Sequence, residues 1–115
     1  MGRPDRYFNT RFLEEVKTFF KELDSKIVRK ILFNIDLAEQ TNDPRLFKKL
    51  TDNVWEFRIK YGNLQYRLLA FWDKTNRTKT LVIATHGIIK KTDKLPAKEI
   101  EKAENIRALY FSVQN

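Results

Sequence analysis

The spacing of apolar residues changes period once along this chain, at Val54, and that change fixes the fold class. Before it, Phe12, Leu13, Val16, Phe19, Phe20 and Leu23 recur at offsets of three and four, the stripe of a single helix face. The spacing predicts a helix from about Arg11 to Leu23, with Asn9 or Thr10 as its cap. Asp24 or Ser25 can cap a second helix, striped by Ile27, Val28, Ile31, Leu32, Ile35 and Leu37 or Ala38 and stopped by Thr41-Asn42-Asp43-Pro44. Two helices joined by so short a link form an antiparallel hairpin. Its apolar residues all sit at packing offsets and its polar ones do not converge, so it is expected to be scaffold only.

From Val54 onward the repeat is two. Trp55, Phe57 and Ile59 alternate with Glu56, Arg58 and Lys60, as in a half-buried strand. Tyr61-Gly62-Asn63 turns the chain, and Gln65 to Asp73 is apolar on both parities except at Arg67, the mark of a central strand. Lys74-Thr75-Asn76-Arg77 is a second turn before a strand from Thr80 to Ile89. Short turns between consecutive strands imply an antiparallel meander, and its aromatic face needs the helical hairpin to cover it. Pro96 suits the first turn of a last helix with Ile100, Ala103, Ile106 and Tyr110 inward. The expected fold is α+β: an N-terminal helical hairpin on an antiparallel sheet of three to four strands, closed by a short C-terminal helix. With 115 residues and no internal repeat, residues 1–115 are expected to be one domain.

Composition narrows the chemistry. There are no cysteines and one histidine, which argues against disulfides, thiolate catalysis and a metal site, so neither metal nor cofactor is expected. The N-terminal stretch carries Arg3, Asp5, Arg6 and Arg11 with no apolar leader core, and the longest apolar run, Leu68 to Trp72, is too short to span a bilayer. A cytoplasmic protein without membrane contact is expected. Lysine and arginine total 23 against 15 acidic residues, a net charge of +8, which favours a polyanionic partner.

The placement of those cations is more informative than their number. Arg67 is a permanent charge in what should be the best-buried strand, and burial without a counter-ion is costly. Either it pairs with a carboxylate such as Glu56 on the neighbouring strand, or it lines an open groove on the outer face of the sheet. Arg58 has the polar parity and can share that face. His86, Lys90 and Lys91 follow the apolar run Leu81-Val82-Ile83-Ala84, where a strand leaves the core and a rim is expected.

The segments "KKL" (48–50), "VWEFRIKYGNLQYRLLAFWDK" (54–74) and "LVIATHGIIKKTDKLPAKEIEKA" (81–103), following a helical hairpin, resemble the RelE/ParE toxin superfamily, and within it the HigB branch related to phage-derived host-inhibition proteins. The most specific parts are W-E-F-R-I, Y-R-L and H-G-x-x-K-K-T-x-K-x-P-x-x-E-I. Ile88 departs from the aromatic that often follows His-Gly in relatives. The resemblance implies a type II toxin: a ribosome-dependent mRNA endonuclease held inactive by a cognate helix-turn-helix antitoxin, touching operator DNA only through that antitoxin.

Metal-free cleavage suits such a chain. A 2′-OH attacks the adjacent phosphate, cations stabilise the added negative charge, and a side chain accepts the proton. Arg67 and Arg58 are the phosphate-stabilising residues by strand position and family pattern. His86, with an ordinary pKa near 6.5, and Lys90 and Lys91, one facing the groove and one solvent, are the candidates for proton transfer, with a structural role the alternative for His86. Lys48, Lys49 and Lys60 are expected to contact ribosome or RNA, and Tyr110 to stack on a base or pack in the core. Two other functions fit the same features: a ParE-like inhibitor of DNA gyrase without nuclease activity, and a non-catalytic nucleic-acid-binding module.

Overall fold

The computed structural model describes residues 5–75, 80–92 and 94–114. Its elements run β1 (Asn9–Phe12), α1 (Glu14–Lys21), α2 (Ser25–Thr41), β2 (Phe47–Lys49), β3 (Trp55–Tyr61), β4 (Leu64–Asp73), β5 (Leu81–Lys90) and α3 (Ala97–Gln114). The sheet order is β1-β5-β4-β3-β2. The expected meander β3-β4-β5 is present and antiparallel, with the Gln65–Asp73 stretch in the central strand. Two short strands extend it to five. β2 adds antiparallel to β3, and β1 adds parallel to β5.

β1 corrects the expected start of the first helix. Asn9, Thr10, Arg11 and Phe12 are paired with Leu81 to Ala84, so Asn9 and Thr10 cap nothing, and α1 begins at Glu14 with no side-chain cap. The second helix is capped as expected, Asp24 accepting from the backbone of Lys26, and it ends on Asn42 in the left-handed region at φ 53°. Gly62, at φ 62°, opens the two-residue link between β3 and β4, a position where a primed hairpin turn needs positive φ. Of the second turn, Asn76 and Arg77 lie outside the described residues. The last helix follows Pro96 directly and, at 18 residues, is not short.

α1 and α2 cover one face of the sheet. Phe8, Val16, Ile31, Ile35, Ala38, Phe47, Phe57, Ile59, Tyr66, Leu68 and Ala70 are buried there. The Phe47 ring stacks on Phe57 at 4.4 Å and on Trp55 at 4.9 Å. Across the sheet, α3 seals a smaller cluster of Val54, Leu69 and Ala103 with Leu50, Leu95 and Ile100. It leaves the Arg58 and Lys60 end of β3 open to a cleft.

A bulge in β5 decides what that second face carries. Ala84 pairs with Ala70, but His86 pairs with Leu69, so Thr85 is an extra residue and side-chain parity inverts beyond it. Without the bulge, His86, Ile88 and Lys90 would follow Val82 and Ala84 into the hairpin core. With it, they share the face of Leu69, Arg67 and Gln65, and Gly87 turns inward instead. A Cβ on Gly87 would sit 2.4 Å from the Phe19 ring and 2.8 Å from Leu68, so only glycine lets α1 approach here. Among the described residues, no helix is long and apolar enough to cross a membrane.

Candidate functional site

β3 and β4 place Arg58 and Arg67 directly opposite one another. Two like charges in register repel, and the carboxylate that offsets them comes from the same strands. Glu56 is two residues before Arg58 and so on the same face. Its Oε1 lies 3.2 Å from Arg67 Nε and its Oε2 lies 3.5 Å from Arg58 Nε. The sequence left two readings of Arg67 open, ion pair or groove, and the structure shows both. The Arg67 side chain is only 3% exposed and ion-paired with Glu56, yet it borders an open cleft of about 240 Å³ with Arg45, Arg58, Ile59, Lys60 and Gln65. Gln65 accepts a hydrogen bond from the Arg67 guanidinium. A guanidinium held by Glu56 on one side and Gln65 on the other is pre-oriented, the condition under which a cation stabilises developing charge without reorganising.

The cleft therefore gathers Arg58, Arg67 and Lys60. Lys90 is buried across from Gln65 on the same face of the sheet, outside the lining of the cleft, while Lys91, past the end of β5, is exposed. Lys48 and Lys49 are both exposed on β2; Lys48 faces Glu56 across the pair and Lys49 faces Trp55. Arg45 and Gln65 were not anticipated. Their membership depends on the register of three strands, which residue types alone do not reveal.

One expectation changes. His86 is not at a rim: β5 runs on to Lys90, and His86 is 2% exposed beneath α3. Its Nδ1 is 2.8 Å from Thr85 Oγ1 and its Nε2 is 3.0 Å from Glu99 Oε1 on α3. Burial pushes the imidazole below its ordinary value; Glu99 opposes this, and the positive charge of Lys102 reinforces it. These contacts tie the bulge to α3. Half-buried Tyr110 donates to Asp73 Oδ2 at 2.6 Å and packs edge-on to Phe71 at 5.1 Å, the contacts of the core alternative. Burial acts to raise the Asp73 carboxyl, but hydrogen bonds from Tyr110 and Thr75, with the charge of Arg11, hold it below the usual carboxylate range.

The fold is thus α+β, with an open cationic cleft at one end of a five-stranded sheet and a buried carboxylate between the two arginines that border it. The sequence matches the model of the phage-derived Gp49-like family over residues 18–108, and the chain belongs to that family, one of RelE/HigB-type toxins. Among solved structures it is similar to a chain of the archaeal RelE–RelB complex from Pyrococcus horikoshii OT3, with 14% identity over 76% of this chain and 99% of that chain and a TM-score of 0.49. No curated protein matches significantly.

Proposed function

We propose that the chain is the toxin of a toxin–antitoxin pair, and that it cleaves mRNA on the ribosome by metal-free attack of a 2′-OH on the adjacent phosphate. The carrying observation is the Arg58–Arg67 pair, in register, braced by Glu56 and open to a cleft. Its partners are then mRNA and the ribosome, together with a cognate helix-turn-helix antitoxin through which alone it meets operator DNA. It would act in the cytoplasm and needs no cofactor.

In this reading the scissile phosphate lies between the two guanidinium groups. The 2′-oxygen forms a bond to phosphorus and the bond to the 5′-oxygen breaks, leaving a 2′,3′-cyclic phosphate and a 5′-hydroxyl. One proton leaves the 2′-OH and one is delivered to the departing 5′-oxygen. Arg67, immobilised by Glu56 and Gln65, stabilises the added charge on phosphorus oxygens. Arg58 is half-buried, at 30% side-chain exposure, and can follow the substrate in. Lys90 is the lysine on the cleft's face and is assigned the proton transfer, Lys91 an outer contact. His86 supports the site indirectly by joining β5 to α3, and Lys48, Lys49 and Lys60 extend the cationic surface toward the ribosome.

Analysis of the product ends tests this. Ends bearing 2′,3′-cyclic or 3′-phosphate, on cuts that primer extension shows to be codon-phased and dependent on translation, are expected. Ends bearing 3′-OH overturn the chemistry. Inhibition of DNA gyrase with intact mRNA overturns the function.

A further inference from the structure

Both tryptophans of the chain meet at the end of the sheet remote from the Arg58–Arg67 pair. Trp55 opens β3 and Trp72 is next to last in β4, and their rings contact edge to face with centroids 5.6 Å apart. From the core side, Phe47 stacks on Trp55, and Phe8 meets Trp72 at 5.3 Å. Packing accounts for only part of each indole, because both remain partly exposed and wall an open cleft of about 570 Å³.

Cations ring this cleft. Lys49, Lys74 and Arg107 line it against a single acidic residue, Asp52. Lys74 Nζ sits 5.3 Å from the Trp72 ring, and the Arg107 guanidinium lies 5.2 Å from the Phe111 ring. Flat aromatic walls with cations at their edges match one ligand chemistry well, an unpaired nucleobase with its phosphate. Any base can stack on an indole, and the cations take the backbone charge.

The position fits the same conclusion. Trp55 pairs with Ala70, three register positions from Arg58–Arg67, which at ~3.3 Å per residue is roughly 10 Å along the strand. Lys48, exposed on the edge strand opposite Glu56, lies between the two clefts. Three is an odd number of positions, so the indoles project from the hairpin face and the arginines from the opposite one, and a single strand passes from one cleft to the other by rounding the β2 edge.

We propose that this tryptophan cleft is a second nucleic-acid subsite, which seats an unpaired base of the RNA a short distance along the strand from the scissile phosphate. It rests on the reading above for the identity of the polymer. Since both tryptophans border this cleft, intrinsic fluorescence of the whole protein reports on it directly. Titration with AMP and with a short single-stranded oligoribonucleotide is expected to quench the emission, while ribose 5-phosphate is not. Lys74→Ala and Arg107→Ala, which spare the indoles, should each weaken the AMP midpoint several-fold. Equal quenching by ribose 5-phosphate would reduce the cleft to an anion patch and overturn the proposal. So would quenching by an acidic peptide where the oligoribonucleotide gives none, which would mark a protein-docking surface. The two readings fail separately: quenching by an oligoribonucleotide that is never cleaved supports the subsite and removes the nuclease, whereas cleavage without quenching sinks the subsite alone.

Discussion

The two faces of β4 are built from alternate residues of one strand, yet they obey different rules. Tyr66, Leu68, Ala70 and Trp72 face the helical hairpin, where volume and apolarity decide what is allowed. Gln65, Arg67, Leu69 and Phe71 face the other way, where α3 covers Leu69 and Phe71 and leaves Arg67 beside a cleft. A half-covered face lets one strand both complete a core and present a charge. Leu68 and Arg67 are therefore neighbours in sequence whose substitution should fail in different ways.

The largest expected effects test that contrast directly. Leu68→Ala removes a fully buried side chain and should lower stability by about 2–5 kcal/mol, with cleavage per folded molecule unchanged. Arg67→Ala should cut cleavage by about 10²- to 10³-fold, the loss typical of one preorganised charge-stabilising donor. It also strips Glu56 of one of its two arginines, so some stability goes with it. The double change Glu56→Gln with Arg67→Gln removes both charges at similar volume, and should restore most of the stability and none of the cleavage. Denaturation curves and cleavage rates on the same preparations check this. Cleavage that returns with stability would mean Arg67 is a strut and not a catalytic group.

Next in size is the bulge that assigns β5 side chains to the two faces. Gly87→Ala places a methyl against the Phe19 ring and Leu68, and overpacking of this kind should cost about 1–3 kcal/mol. Paired with Phe19→Leu, which vacates ring atoms at the contact, the loss should shrink. A double-mutant cycle measures the coupling, and additive losses would show that α1 does not depend on this glycine.

Much of the hairpin face was legible in the sequence, because a helix stripe and a strand alternation are local patterns. The exceptions were short. Asn9–Phe12 and Phe47–Lys49 are strands of four and three residues, too brief to display a period, and Phe12 also continued the stripe of Val16 and Phe19. The charged face was less legible. Arg67 announced itself as a charge in an apolar run, and Arg58 by parity. Glu56 was legible as a counter-ion for Arg67; that it is shared with Arg58 follows from register, which no single strand encodes. The bulge at Thr85 left no trace in L-V-I-A-T-H-G beyond the glycine, so His86 read as a rim residue when it is a buried link to α3.

That link gives a smaller, pH-dependent effect. The folded His86 holds its proton less tightly than the unfolded one, chiefly through burial. Unfolded imidazole titrates near pH 6.5. Below that value, and down to the depressed folded value, the unfolded chain binds more protons, so His86 contributes full stability above about pH 6.5 and loses it as pH falls through the window. Melting temperatures taken from pH 7.5 to 5.5 should decline, by at most about 1.4 kcal/mol of stability per pH unit for one such group. His86→Gln should flatten the decline while leaving cleavage per folded molecule far closer to the parent than Arg67→Ala does. Cleavage lost as completely as with Arg67→Ala would return His86 to the reaction itself.

The smallest effect separates the faces by charge alone. Lys48 is exposed on β2 opposite Glu56, on the cleft's side of the sheet, and Lys26 is exposed in the first turn of α2, on the hairpin side. If RNA runs along the cleft face, each lysine it neutralises releases counterions, and removing one contact should reduce the slope of log affinity against log salt by about 0.7. Lys48→Ala is expected to do so for a single-stranded oligoribonucleotide, and Lys26→Ala to leave the slope as it was, with neither changing stability appreciably. Equal changes for both would mean that the net charge of +8 acts as a diffuse field and that neither face of the sheet is the RNA-binding one.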